Sequence, residues 1–466
     1  MAGLSEHKIA IVRMLVETAP DRIVGSLQQA LAETPDGSAL GGVRRLVETE
    51  IFDRTLRNLV LQPIAPMCIA NGDPRSLTFP PRVLGLIWRA LRKHHEGTVE
   101  QVRAVDEDSP AQAATSSHDV LLAAAAAGIR AAELPEFVAV VQACEAARLG
   151  SAEQLAACLE ISTIVRRATR RLPNWIAHPG GDNTASARLA YKDVVELADD
   201  AGPRFFQMLA AHMPQPWMVL RVISAVMDKP TERYLRDSEL SSFGEAVFDD
   251  VDKALNDIAR LNPDDGAAAG RDLAKRAELV VQQVVEIESS MDLQRDQGWG
   301  LRVVKQRASL ASVVEGRLRE GEKATIEALP MVTTRHGRGR RALPRLSSPP
   351  DPRTVGRATT LLSFCDELRT TANYGGFASA RSKMVEKLSD YIDQYVEDVL
   401  DMIRGGEAED LEIAHAFMRQ AADFKQLLAG DRAGELIRRR ALAAIDPQQA
   451  AALAAADALT APLARF

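Results

Sequence analysis

From Leu273 onward the apolar residues Leu273, Ala277, Val280, Val284, Ile287 and Met291 step by four, three, four, three and four positions. Near the other end Val385, Leu388, Ile392, Tyr395, Val399 and Met402 step by three, four, three, four and three. This spacing keeps one stripe on one side of a helix for nearly three heptads, and a strand, whose period is two, has no use for it. Elsewhere the periodic segments repeat the helical pattern, and no alternating run or Asn-Gly turn announces a hairpin. The chain is therefore predicted to be all-α, with about twenty helices in an irregular bundle or a degenerate α-solenoid of two or three subdomains. An apolar share resting on Ala, Leu and Val, with only 5% aromatics, suits closely packed helices.

Breakers set the predicted organisation. Ala19-Pro20 ends the first helix, Asp21 is expected to cap the second, and Pro35-Asp36-Gly37 precedes a longer helix reaching Val60. Residues 62–81 hold five prolines and read as an irregular loop. Later breaks are expected at Leu134-Pro135, Gly150-Ser151, Pro173, Gly202-Pro203 and Lys229-Pro230. The expected domains are an N-terminal helical domain over 1–200, a central bundle over 201–330, a linker or exposed loop rich in Arg, Gly and Pro over 331–353, and a C-terminal helical region over 354–466. The Ala-rich tail from Asp446 reads as a last, loosely held helix.

Charge narrows the functional classes. The net charge of -7 gives no global attraction for polyanions, so any such binding must be local. The 46 Arg against 11 Lys reflect GC-rich coding of a bacterial kind rather than phosphate binding. Cys68, Cys144, Cys158 and Cys365 stand far apart without a CxxC pair, which reads as buried reduced thiols and predicts neither a metal site nor a disulfide framework. No signal-peptide pattern opens the chain, and its longest nearly apolar run, Val120 to Ile129, is half a membrane span, so a cytoplasmic protein without a span is expected.

Two arginine groups are candidate anion sites. Arg335, Arg338, Arg340, Arg341 and Arg345 crowd the expected linker, where flexible guanidiniums could neutralise phosphates of nucleic acid or an anionic partner. No aromatic is interleaved, so base stacking finds no support. The acids of 390–412, among them Asp390, Asp393, Glu397 and Asp401, offer this segment a salt-sensitive latch within the chain, and a plainly solvated linker is the first reading, ahead of both. Arg166, Arg167, Arg170 and Arg171 fall on one side of a predicted helix, as a phosphate-reading stripe or simply as its solvent face. His94-His95 reads as the cationic end of a helix.

The stretch 174–183 joins His178 and Asp182 to Gly180 and Gly181, the material of general acid/base sites but equally of a helix-breaking turn. GxSxG, HExxH, GxxxxGK[ST] and GxGxxG are all missing, so no catalytic residue, metal or cofactor is assigned. The leading expectation is a non-enzymatic cytoplasmic scaffold or adaptor that holds protein partners, with the seam Val385 to Met402 as a partner-helix surface and homo-oligomers included. A nucleic-acid-associated regulator acting through the arginine groups, and an enzyme with an unmarked site near 174–183, are the alternatives.

Overall fold

A computed structural model of the chain describes residues 6–35, 38–70, 76–104, 111–198, 200–238, 240–336 and 339–444. The fold is all-α, as the spacing predicts: twenty α-helices and one short hairpin among these residues. Two compact units divide the chain at about Pro230.

The first unit holds α1 (Glu6–Thr18), α2 (Asp21–Leu31), α3 (Ala39–Val60), α4 (Arg82–His94), α5 (Glu96–Arg103), α6 (Ala111–Ala131), α7 (Pro135–Ala147), α8 (Ala152–Ala177), α9 (Gly181–Val195), α10 (Ala201–Ala211) and α11 (Val219–Met227). The middle helix is α8, which packs against α6, α7, α9, α10 and α11. Ser151 starts it with a capping box, accepting from the Gln154 amide while the Gln154 side chain accepts from its own. Residues 155–159 are then buried without interruption, the mark of a helix enclosed on nearly all sides.

Two expectations about this unit need correction. Pro173 does not end a helix but lies inside α8, where it withholds only the bond to the Thr169 carbonyl, and the helix runs on to Ala177. Asp21 does not cap α2; Pro20 occupies the cap, and the Asp21 carboxylate instead accepts from Arg54 and Arg57 of α3. The proline-rich loop is irregular but well tied where described: Phe79 is fully buried, and Gly150 donates to the Thr78 carbonyl at 2.7 Å.

The second unit holds α12 (Glu232–Arg236), most of α13 (Ser241–Ala259), α14 (Ala267–Ser290), α15 (Gly298–Ala328), strands β1 (Met331–His336) and β2 (Gly339–Pro344), α16 (Pro352–Glu367), α17 (Ala372–Gly375), α18 (Ala378–Arg404), α19 (Leu411–Ala429) and α20 (Asp431–Ala443). Here α16 is the enclosed element, packed against α14, α15 and α19 and buried at seven of its positions, among them an unbroken run over 360–365. Asp351 caps it, accepting from the amides of Arg353 and Thr354 at 3.3 Å, and Pro352 supplies its fixed φ at the first helical position. Gly270 of α14 makes the close approach to α16 feasible, since a Cβ there would stand 2.3 Å from the Thr360 carbonyl oxygen.

The expected linker over 331–353 begins as a paired ribbon. β1 and β2 are antiparallel in the register Met331↔Pro344, Val332↔Leu343, Thr333↔Ala342, Thr334↔Arg341, Arg335↔Arg340 and His336↔Gly339. The run Met331-Val332-Thr333-Thr334 has the β-branched content of a strand, but its partner strand is charged, so no apolar alternation marks it. β2 packs on α18, and the Tyr391 hydroxyl donates to the Leu329 carbonyl at 2.5 Å just before the ribbon.

Candidate functional site

The arginine stripe of α8 resolves into two kinds of residue. Arg167, Arg170 and Arg171 are exposed and make no ion pair among the described residues, whereas Arg166 is 4% exposed. Its Nη1 donates to the Leu59 carbonyl at 2.8 Å and its Nη2 to the Val60 carbonyl at 2.5 Å, which satisfies the last turn of α3. Nε is buried without a partner. Burial pulls the Arg166 pKa below its usual value, Asp119 nearby opposes this and Arg170 adds to it. A guanidinium nevertheless stays charged, so α8 carries a buried cation whose hydrogen bonds go to neutral carbonyls. The four arginines therefore do not form one solvent face: position 166 turns inward because α3 ends against it.

Beside Arg166 lies a cavity of about 580 Å³, within the range of small-molecule pockets. Its walls are mainly apolar, Leu172, Ile176, Met213 and Met218 among them, and no acidic residue lines it. Arg170, one helical turn beyond Arg166, stands on the lining, as do Thr169 and His212. The His212 ring meets the Pro63 carbonyl through Nε2 at 3.1 Å, and burial lowers its pKa, outweighing that bond. Within electrostatic reach of Arg166 and Arg170, His118 of α6 is 5% exposed and its Nε2 has no partner; burial first, then the charges of these two arginines, bring its pKa down to about 4.

A second cleft of about 330 Å³ is lined by charges of both signs. At its base the buried Asp53 accepts from Trp88 Nε1 at 3.1 Å, from Arg92 at 2.5 Å and from Arg103. With carboxylates and guanidiniums matched there, the cleft is a structural ion-pair network. Sequence spacing gave no sign of it, because Asp53, Trp88, Arg92 and Arg103 come from three helices.

Arg335 sits opposite Arg340 in the register and Arg341 opposite Thr334, while Arg338 lies outside the described residues. Arg345 follows β2, is exposed, and gives its amide to the Pro330 carbonyl at 2.9 Å. The acids expected to latch this segment have other cations: Asp393 accepts from Lys425 at 2.7 Å, Glu397 from Arg440 at 2.5 Å, and Asp401 faces Arg404.

The seam residues Leu388, Ile392, Tyr395 and Val399 are fully buried, and Val385 and Met402 partly so, in a helix that packs on α15 and α19. The seam is filled within the chain, and a free partner-helix surface there is corrected accordingly. His178 is exposed in the turn between α8 and α9 and Asp182 in the first turn of α9, where Gly180 and Gly181 take positive φ and Asn183 donates to the His178 carbonyl at 3.0 Å. His94 closes on Glu136 of α7 at 3.0 Å, alongside Lys93. All four cysteines are free and buried. Among the described residues no group of His, Cys, Asp and Glu is placed to hold a metal ion, and no helix is long and apolar enough to cross a membrane.

Unpartnered apolar surface gathers on the first two helices. On α1, Ile11, Met14 and Leu15 share one face, with Met14 57% and Leu15 58% exposed, although Val12 and Val16 of the same helix already turn inward. On α2, Ile23 and Leu27 do the same while Val24 is buried. The core beneath is small, built on Val16, Val24 and Val47, and Arg54 supplements it by donating to the Val16 carbonyl at 2.9 Å and the Ala19 carbonyl at 2.8 Å.

Compared with known protein families, with curated proteins and with solved structures, the chain matches none.

Proposed function

We propose that the chain is a non-enzymatic, cytoplasmic adaptor or scaffold whose first unit holds a protein partner against α1 and α2. The observation that carries this reading is the double apolar character of these helices. Each is apolar on the side that meets Val47 and again on a side left to solvent, and an exposed apolar ridge of this kind is the usual mark of an interface. The partner the ridge fits is an amphipathic helix that lays its own apolar face along Ile11, Met14, Leu15, Ile23 and Leu27. Four buried, unpaired thiols suit a reducing compartment.

A photo-crosslinking residue at Met14 in native cytosol tests the reading. The expected result is a protein adduct that resists nuclease and disappears with Leu15→Asp and Ile23→Asp. An adduct that survives both substitutions, or no protein adduct, overturns it. The adduct's mass distinguishes a second copy of the chain from another protein.

The exposed, unpaired Arg167, Arg170 and Arg171 favour a second reading, a nucleic-acid-associated regulator. Retention on nucleic acid whose salt dependence falls when the three are replaced by Gln would support it, and an unchanged salt slope would remove it.

A further inference from the structure

We propose that the cavity beside Arg166 and Arg170 binds one alkyl carboxylate, its head at the two arginines and its chain along Leu172, Ile176, Met213 and Met218. The inference is independent of the apolar ridge on α1 and α2.

Three observations select this ligand class. First, the charge is one-sided: Arg166 and Arg170 border the cavity, no acid does, and Arg170 has no ion-pair partner among the described residues. A carboxylate supplies the missing negative charge and accepts from guanidinium N–H groups in the geometry they present. Second, Arg166 is more than nine-tenths buried, and its Nε is unpartnered although both of its Nη groups are bound. A buried donor left in this state is costly in a finished fold and cheap in a binding site. Third, most of the remaining wall is aliphatic or thioether, with Gln62, Thr169 and the carbonyl-bound His212 the exceptions and no Phe, Tyr or Trp on which a base could stack, so the body of the ligand is a hydrocarbon chain rather than a nucleotide.

The charge count also sets the valence. His212, held on the Pro63 carbonyl and lowered by burial, adds no cation at neutral pH, and Arg166 is already partly balanced by Asp119 nearby and by the two carbonyls that end α3. One negative charge completes the site, and a phosphate dianion exceeds it.

Titration calorimetry of the purified full chain with sodium decanoate, 1-decanol, sodium acetate and decyl phosphate tests the proposal. Decanoate is expected to saturate at one per chain and to bind at least about tenfold more tightly than any of the other three. Arg170→Gln, at an exposed position, should weaken decanoate by about tenfold and leave decanol unchanged. Met218→Trp, which fills the cavity from a half-buried position, should abolish decanoate binding with thermal unfolding retained. Arg166 is left intact because it holds the end of α3. Equal affinity for decanoate and decanol, tighter binding of decyl phosphate, unaltered binding to either variant, or no saturable uptake of decanoate would each overturn the proposal.

Discussion

Glu232 and Trp299 stand 67 residues apart, yet the Glu232 carboxylate accepts the Trp299 amide at 2.6 Å and the Gly300 amide at 3.1 Å, and so provides the missing cap of α15. The helix has no cap of its own, since Gln297 accepts nothing there, and a buried carboxylate is favoured at a helix N-terminus by both bonds and dipole. Gly298 makes room for it: its φ is +53°, and a Cβ at that position would collide with Glu232 Oε1.

Glu232→Ala is therefore expected to cost about 1–3 kcal/mol, and Glu232→Gln less, because one amide acceptor survives. Gly298→Ala should cost at least as much as Glu232→Ala, through left-handed strain together with loss of the same cap. Denaturant midpoints of the three variants check the order, and a Gly298→Ala protein as stable as wild type would contradict it.

Stability should fall on mild acidification through His118. Its pKa lies near 4 in the fold against 6.5 ordinarily, so below pH 6.5 the unfolded chain takes up a proton that the native ring refuses. The loss accumulates as pH falls from 6.5 toward 4, levels off below, and reaches at most about 3 kcal/mol. His212, shifted the same way, adds to it. Urea midpoints across this window, compared between wild type and His118→Gln, give the difference, and parallel curves would exclude His118 as the source.

Thiol chemistry should be silent in the native protein. Burial raises Cys68 and Cys158 to about 12 and Cys144 and Cys365 to about 11, so little thiolate forms at neutral pH and access is poor. An aromatic disulfide reagent should find fewer than one reactive thiol per folded chain and all four in guanidinium.

Two glycines of neighbouring long helices should respond in opposite directions to the same substitution. Gly270→Ala drives a methyl into the Thr360 carbonyl and should cost about 2 kcal/mol or more by parting α14 from α16. Gly316→Ala, exposed and with nothing within 4 Å, should stabilise by about 0.4–1 kcal/mol through helix propensity. Thermal unfolding of the pair reads both signs in one experiment.

Helical spacing made the class of fold legible, and it placed Ala277, Val280, Val284 and Ile287 on a buried stripe where the structure has them. The same spacing could not say what would cover a stripe: the 385–402 seam looks alike whether α19 or another chain lies against it. Nor could it separate Arg166 from Arg167, Arg170 and Arg171, because the difference is made by the end of α3, more than a hundred residues earlier. Glu232, Asp53 and Arg54 were illegible for the same reason. Each acts on backbone or side chains far away in sequence, and no local period records such a partner. The hairpin is not legible because three arginines among its twelve residues break any apolar alternation and the ladder is made by backbone groups.

The enclosure of α16 carries a consequence for synthesis. The chain emerges from the ribosome in order, so α14 and α15 are complete by Ala328, while the helix that fills the space between them and α19 is not finished until Glu367. Through that interval the faces of α14 and α15 that α16 covers have no lasting cover, and the nascent chain presents the kind of surface that chaperones retain. Messenger truncations that stop short of Glu367 should accumulate as holdase-bound or degraded fragments, whereas the first unit, finished by Ser242, has its own enclosed helix already in place.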